Sequence, residues 1–520
     1  MSMNSQGRPT GLPDGAAGAE TDTFTGNRAL MRDEALIFEF GSTETTGVDL
    51  DEPEPFDTAL GGFERRRSMN LAGLSEPQVV RHFTRLSQKN YGIDTGVFPL
   101  GSCTMKHNPR LNEKIARLPG FADIHPLQPE KTVQGAFEVV KTLEAWLLEL
   151  TGMPAVAMSP KAGAHGELCG MMTIRAAIDH RGEDRDIVLV PESAHGTNPA
   201  TAVFCGFKVK TLKSTDDGRV DVEALKEQLG PDVAAIMVTN PNTCGLFEKD
   251  ILEISKAVHD AGAYFYCDGA NLNALIGKVR PGDLGIDAMH INLHKTCSTP
   301  HGGGGPGSGP TVLSEALAPF APIPWVVSTE DGYTLKARRA AGDTTFGRMT
   351  AFHGQMGMFT RALAYLMSHG RDGLRRVSED AVLNCNYVAS GIETVMTRAF
   401  EPRPMHEALF DDRFLKGTGV DTLGFAKALI DEGFHPMTVY FPLVASGAML
   451  IEPTETESRQ SLDEFIFAMV KLAQAAQRGE TERFENAPRF APLKRLDETG
   501  AARKPVLRYT PPQVQAEAAE

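Results

Sequence analysis

Lys295 is the residue from which the chemistry of this chain can be read. It stands in Met-His-Ile-Asn-Leu-His-Lys-Thr, residues 289 to 296, at the mouth of a strand-like run, Met289 to Leu293. A hydroxyl-rich turn and a glycine run, Gly302 to Gly305, follow it. Lysine is among the residues least often buried without a partner. One chemistry wants it there: an amine that forms a Schiff base with an aldehyde cofactor. Asp268, 27 positions upstream, ends the apolar run Ala-Tyr-Phe-Tyr-Cys. A Schiff-base lysine working with pyridoxal 5'-phosphate (PLP) is paired with a carboxylate on the pyridine nitrogen. Taken alone, the same residues would suit a surface lysine and a flexible glycine loop. The loop is not a Walker A loop, because no Gly-Lys-Ser/Thr closes it.

Three further turns change the weighing. Pro-Lys-Ala-Gly-Ala-His-Gly, residues 160 to 166, sits between a strand and a helix. Gly163 and Ala164 are small enough to let backbone N–H groups at a helix N-terminus approach a phosphate; an ordinary βα turn reads the same way. The next strand ends in Glu-Ser-Ala-His-Gly-Thr-Asn, residues 192 to 198, where His195 either stacks on a cofactor ring or is a polar loop histidine. Another ends in Thr-Asn-Pro-Asn, residues 239 to 242. The Asn240 amide can hydrogen-bond the cofactor's phenolic oxygen, although Asn-Pro is also a turn signal. Beside the lysine, His294 is a candidate proton carrier, with packing or a hydrogen bond to the cofactor as the alternative, and Thr296 joins the cofactor contacts. In open α/β sheets, ligands bind at the carboxyl ends of the strands. Four successive strand ends here carry a phosphate-type turn, a stacking candidate, an amide and a carboxylate, and the lysine comes fifth. No metal-ligand spacing is present.

The elements that must position these residues are legible as alternation. Apolar strands are expected at 155–158, 187–190, 234–238 and 263–267, then around His290 and Val312. Helical patterns lie between them at 167–180, 220–229 and 250–261. Strands alternating with helices imply an α/β domain with crossover helices. Upstream are helical patterns at 75–92 and 132–151, with a hydroxyl-rich loop, residues 99 to 109, between them. Downstream, a helix passes through Phe359, Leu363 and Leu366, and a second helical run reaches about Thr397. A smaller α/β unit follows, with helices at 422–432 and 461–475 and strands at 438–441 and 449–452. The expected division is an N-terminal extension and arm (1–130), a large cofactor domain (131–370), a small C-terminal domain (371–490) and a tail (491–520).

Composition sets the bounds. The chain has 520 residues, 41% hydrophobic and 23% charged, which fits a globular protein of more than one domain. Its net charge of −15 argues against nucleic acid as a partner. No apolar run approaches the ~20 residues of a membrane span. Seven scattered cysteines without a Cys-x-x-Cys pair point to reduced thiols in the cytoplasm. Residues 1–28 lack an apolar segment of the signal-peptide kind and are expected to be disordered.

Together the motifs resemble the P-protein family of the glycine cleavage system, glycine dehydrogenase (decarboxylating). The resemblance rests on Pro-Leu-Gly-Ser-Cys-Thr-Met-Lys (99–106), Gly-Ala-His-Gly-Glu (163–167) and Ser-Ala-His-Gly-Thr-Asn-Pro-Ala (193–200). It continues through Asp-Gly-Ala-Asn (268–271), Asn-Leu-His-Lys-Thr (292–296), His-Gly-Gly-Gly-Gly-Pro-Gly (301–307) and Glu-Pro-Thr-Glu (452–455). It spans about residue 30 to residue 475. It implies the PLP-dependent transferase fold of the aspartate aminotransferase-like type (fold type I), with PLP covalent to Lys295. The implied reaction is decarboxylation of glycine, with transfer of the aminomethyl group to the lipoyl arm of the H-protein. Single-chain members are about twice as long, so the resemblance is to the second half alone. A companion subunit 1 and a cytoplasmic bacterial heterotetramer of two of each subunit are then expected. Arg348-Met349-Thr350 departs from the family's usual serines near the phosphate, so no phosphate hydroxyl is assigned there. Two other classes remain: another fold-type-I PLP decarboxylase or aminotransferase, and a non-catalytic scaffold subunit, against which the intact Lys295 and Asp268 speak.

Overall fold

A computed structural model describes residues 34–39, 47, 50–51, 54, 59–66, 71, 73–302, 305–491 and 495–508. The expectations for residues 1–28 and for Gly303 and Gly304 lie outside the described residues. The chain divides into two units, each described by itself.

The larger unit comprises residues 93–429 and 434–485. Its centre is a seven-stranded sheet of β1 (Ala155–Ala157), β2 (Ile187–Pro191), β3 (Lys208–Leu212), β4 (Val233–Thr239), β5 (Tyr264–Asp268), β6 (Ala288–His290) and β7 (Thr311–Leu313), in the order β1-β7-β6-β5-β4-β2-β3. All pairings are parallel except the two made by β7. β2, β4 and β5 are buried along their whole lengths, because a parallel sheet carries helices on both faces. The side chains alternate accordingly. Leu189, Ile236 and Phe265 pack on one side with Phe137, Leu143, Ile254 and Phe359. Val188, Met237 and Tyr266 pack on the other with Met171, Ile174 and Ile178.

Two elements escape the apolar pattern. β3, Lys-Val-Lys-Thr-Leu, is an edge strand that is mostly exposed, so it needs no apolar run and its lysines blunt the edge. The helix Gly163–Arg181 begins four residues before the expected start, at the small-residue turn itself. In the other direction, β6 stops at His290, and Lys295 lies in a short helical turn, Leu293–Thr296, rather than at the mouth of a strand reaching Leu293. Beyond His290 the backbone leaves the ladder and bonds to the glycine-rich segment instead, Ile291 N to Pro310 O at 2.8 Å and Leu293 N to Ser308 O at 3.2 Å.

A two-stranded hairpin, β8 (Trp325–Thr329) and β9 (Gly332–Lys336), follows. The helix Met356–Ile392 is interrupted at Gly370, whose φ of 59° with ψ of −173° no helix accommodates; this separates the two expected helical runs. A second, antiparallel sheet has the order β10-β11-β13-β12, formed by Thr397–Arg398, Ala408–Asp411, Met449–Ile451 and Thr438–Val439. The helix Arg459–Gln477 belongs to the same part of the chain.

The smaller unit comprises residues 1–92, 430–433 and 486–520. Its helix Glu76–Gln88 is closed by a capping box, Ser75 N donating to the Gln78 side chain at 2.8 Å. Glu34 accepts from Arg85 Nη2 at 2.6 Å, and that guanidinium, despite burial, draws its carboxyl down to about 2. Among the described residues no helix is long and apolar enough to cross a membrane.

Candidate active site

The carboxyl ends of β4, β5 and β6 and the start of the helix Gly163–Arg181 surround a cleft of about 140 Å³. Lys295, Asp268, His195, Gly163 and Ala164 all line it. The fold brings them together for a simple reason: parallel strands end on one side of their sheet, so residues far apart in sequence meet there.

Lys295 is buried, and its Nζ donates to the Ser102 carbonyl at 2.7 Å. Asp268 is the last residue of β5. Its Oδ1 accepts from Ala270 N at 2.9 Å and lies 3.3 Å from His290 Nε2. His290, the last residue of β6, is itself 2.6 Å from the Tyr266 hydroxyl through Nδ1. With that hydroxyl donating to Nδ1, the proton on Nε2 points at Asp268. Burial lowers the pKa of His290, with Asp268 opposing, which suits this neutral tautomer. Neither Tyr266 nor His290 stands out in the sequence, because both read as ordinary strand residues.

Glu167 lies one turn into the helix that begins at Gly163, and it faces the same cleft. Its Oε2 accepts from the Thr197 hydroxyl at 3.0 Å, while its Oε1 has no partner. Burial, and then the Asp268 charge, push its carboxyl up to about 7. His195 is exposed at the cleft's edge, its Nδ1 2.8 Å from Thr197 Oγ1 and its ring edge-on to Phe441.

The three remaining expected residues do not line the cleft. Asn240 is turned away: its Oδ1 accepts from Glu248 N at 3.1 Å, and it faces a small apolar space with Cys267, Leu272 and Met289. Thr239 and Thr243, on either side, line the cleft instead. His294 is half-buried beside Asn292 and His301, and burial, then the Lys295 charge, hold its pKa down to about 3. Thr296 is buried behind the lysine, and its carbonyl accepts from Lys106 Nζ at 2.9 Å. Thr350 is buried and also lies outside the lining.

The residues present fit a phosphorylated aldehyde ring. A Cβ on Gly163 would come 2.4 Å from Asn292 Nδ2, and one on Gly309 would come 1.9 Å from the Ala162 carbonyl. Only glycine lets the helix N-terminus and the glycine-rich segment approach this closely. Thr239 Oγ1 and Asn292 Oδ1, both on lining residues, are buried without a protein partner. Backbone N–H groups at a helix start favour an anion.

Comparison with known proteins agrees with this geometry. The model described as glycine dehydrogenase, C-terminal domain, matches residues 377–493, and that described as aminotransferase class-V matches residues 169–306. A probable glycine dehydrogenase (decarboxylating) subunit 2 of Caulobacter vibrioides is 64% identical, covering 98% of each chain. One from Bacillus cytotoxicus is 48% identical over 92% of this chain and 98% of its own. Among solved structures, a glycine decarboxylase (P-protein) of the glycine cleavage system in inhibitor-bound form superposes with a TM-score of 0.67 at 22% identity, covering 80% of this chain and 93% of that one. A cysteine desulfurase from Thermococcus onnurineus superposes with a TM-score of 0.55 at 15% identity, covering 74% and 96%. These two share the fold, that of the PLP-dependent transferases of fold type I. The chain belongs to the glycine dehydrogenase (decarboxylating) subunit 2 family.

Proposed function

We propose that this chain decarboxylates glycine as the PLP-bearing subunit of a two-subunit glycine dehydrogenase. The aminomethyl group would pass to the lipoyl disulfide of an H-protein, with release of CO2. The observation that carries the reading is the facing pair in one small cleft, Lys295 on one side and the Asp268 carboxylate with its His290 contact on the other.

PLP, when bound, supplies an electron sink for the pair left by the departing carboxylate. The chain's own residues do the rest. Lys295 would hold the cofactor covalently through Nζ. Asp268 would meet the pyridine nitrogen, and the Tyr266–His290 contact orients the donor beside it. The phosphate would lie at the start of the helix Gly163–Arg181, against Gly163 and Ala164. His195 would cover the ring from the open side. The cleft is small, which suits an amino acid without a side chain, and its burial excludes water from the reacting carboxylate. His294, near 3 in pKa, is held neutral and is able to accept a proton only weakly.

A companion subunit 1 would complete the active unit, as two of each subunit in the bacterial cytoplasm. The test is glycine-dependent CO2 exchange by this chain alone, with lipoylated H-protein, and with both H-protein and subunit 1. Substantial exchange is expected only in the third preparation. Full activity from the chain alone, without a carrier, would make it an independent PLP enzyme.

A further inference from the structure

The segment Pro99–Lys106 has no part in the chemistry above, yet the structure ties it down at almost every residue. Leu100 bridges Ile451, and Glu452 N donates to Pro99 O at 3.3 Å. The Thr438 hydroxyl donates to Gly101 O at 2.8 Å. The Thr104 hydroxyl donates to Glu452 at 2.5 Å, and Lys106 Nζ donates to Glu455 at 2.6 Å. The acids that hold the segment flank the strands of the antiparallel sheet: Glu407 immediately precedes β11 and Glu452 immediately follows β13.

Ser102 is where this fastening meets the active site. Its φ is 62°, a left-handed conformation that a residue with a side chain adopts only when its surroundings over-determine it. Its N–H donates to Glu407 Oε2 at 2.6 Å, and its carbonyl accepts from Lys295 Nζ at 2.7 Å. Glu407 is fully buried, and its Oε1 accepts from Asn271 Nδ2 at 3.3 Å. A continuous hydrogen-bonded chain therefore runs from the antiparallel sheet, through one strained residue, to the amine of the proposed cofactor lysine.

We propose that Glu407 is a positioning residue: by holding the Ser102 N–H it fixes the Ser102 carbonyl as the seat of the Lys295 amine, from which the amine meets the cofactor aldehyde and to which it returns when glycine displaces it. This rests on the reading of Lys295 as the cofactor lysine. A bare lysine side chain has many rotamers, and a fixed acceptor removes most of them before reaction. The carboxyl acts here by reach rather than by charge. Burial, and then the neighbouring Glu452, push Glu407 well above the usual carboxylate range, so a neutral amide is a fair substitute.

The experiment separates reach from charge. Glu407→Gln keeps the length and an acceptor but loses the ability to ionise. Glu407→Asp keeps the carboxyl but falls about 1.5 Å short, one C–C bond. The cofactor-free chain is mixed with PLP, and capture is followed by the rise of the visible band and by borohydride trapping with peptide mapping. E407D is expected to capture PLP about tenfold more slowly than the unaltered chain, since a displacement of this order at a reacting group costs one to two decades. E407Q should stay within about threefold of the unaltered chain. E407D capturing at the unaltered rate, or E407Q as slow as E407D, would overturn the proposal. Amide exchange on the unaltered chain gives a second reading that needs no variant: the Ser102 N–H should be protected, and free exchange there would equally overturn it. An adduct mapped to a lysine other than Lys295 in the unaltered chain would instead remove the reading on which the proposal rests.

Discussion

Replacing Glu167 by glutamine should make the cofactor-free chain more stable at alkaline pH than at acid pH, relative to the unaltered protein. Glu167 is almost completely buried in the cleft wall, and burial together with the Asp268 charge raises its carboxyl from an ordinary 4.5 to about 7. Between those two values the folded chain binds more of this proton than the unfolded chain does. Stability therefore falls as pH rises through the window from 4.5 to 7. At ~1.4 kcal/mol per decade the full effect is about 3 kcal/mol once the window is passed. At pH 5 only a small part of it has developed, so the change between pH 5 and pH 8 is about 2–3 kcal/mol.

Glutamine has nearly the same shape and can keep the contact with the Thr197 hydroxyl, which is free to donate or accept. Whatever fixed cost the amide brings is the same at every pH. The quantity to measure is thus the difference in urea midpoint between E167Q and the unaltered chain at pH 5, 6, 7 and 8. It should move in favour of E167Q by the equivalent of about 2–3 kcal/mol, with most of the change between pH 5 and pH 7. Introducing Asp268→Asn in both backgrounds should shrink the effect, because it removes the second cause of the shift. A difference that stays flat with pH would refute the assignment of Glu167 as a carboxyl held back from ionising by this cleft.

Two further expectations concern residues on either side of Lys295. Lys106→Met should destabilise the chain by about 3–5 kcal/mol, as removing one member of a buried pair does, because Lys106 Nζ donates to Asn273, the Thr296 carbonyl, Tyr365 and Glu455 and leaves Glu455 with only the Asn273 amide at 3.0 Å; urea unfolding at pH 7 measures it, and a loss below about 1 kcal/mol would mean the pair is solvated. Asp268→Asn should leave PLP binding largely intact by absorbance yet lower glycine-dependent CO2 exchange on the order of 100-fold or more, as loss of one preorganised charge contact does; near-normal exchange would remove Asp268 as the ring partner.

The parts of this molecule legible in the sequence were those where one physical requirement acts alone. β2, β4 and β5 are buried on both faces, so each is a continuous apolar run. The edge strand β3 answers to solubility rather than burial, and its Lys-Val-Lys carries no such run. β10 is two residues long and β11 four, too short for periodicity to register. The hairpin β8–β9 did carry a signal, β-branched residues on both sides of Asp331-Gly332, and the search for α/β alternation passed over it.

The site divides along the same line. Lys295, Asp268 and Gly163 could be placed because their residue types at strand and helix ends admit few other uses. Asn240 could not, since its sequence neighbours do not say which face of the strand end it takes: the chain turns at Pro241, and Asn240 caps Glu248 N while Thr239 and Thr243 reach the cleft. His290 was passed over for the converse reason. A histidine inside an apolar strand reads as packing until its long-range partners are known, and both of them, Tyr266 and Asp268, come from β5 through pairing that only the sheet order creates. Glu407 is more distant still, 305 residues from the Ser102 amide it holds. A contact of that span leaves no local pattern, so the fastening of the lysine becomes visible only when the antiparallel sheet and the segment Pro99–Lys106 are seen together.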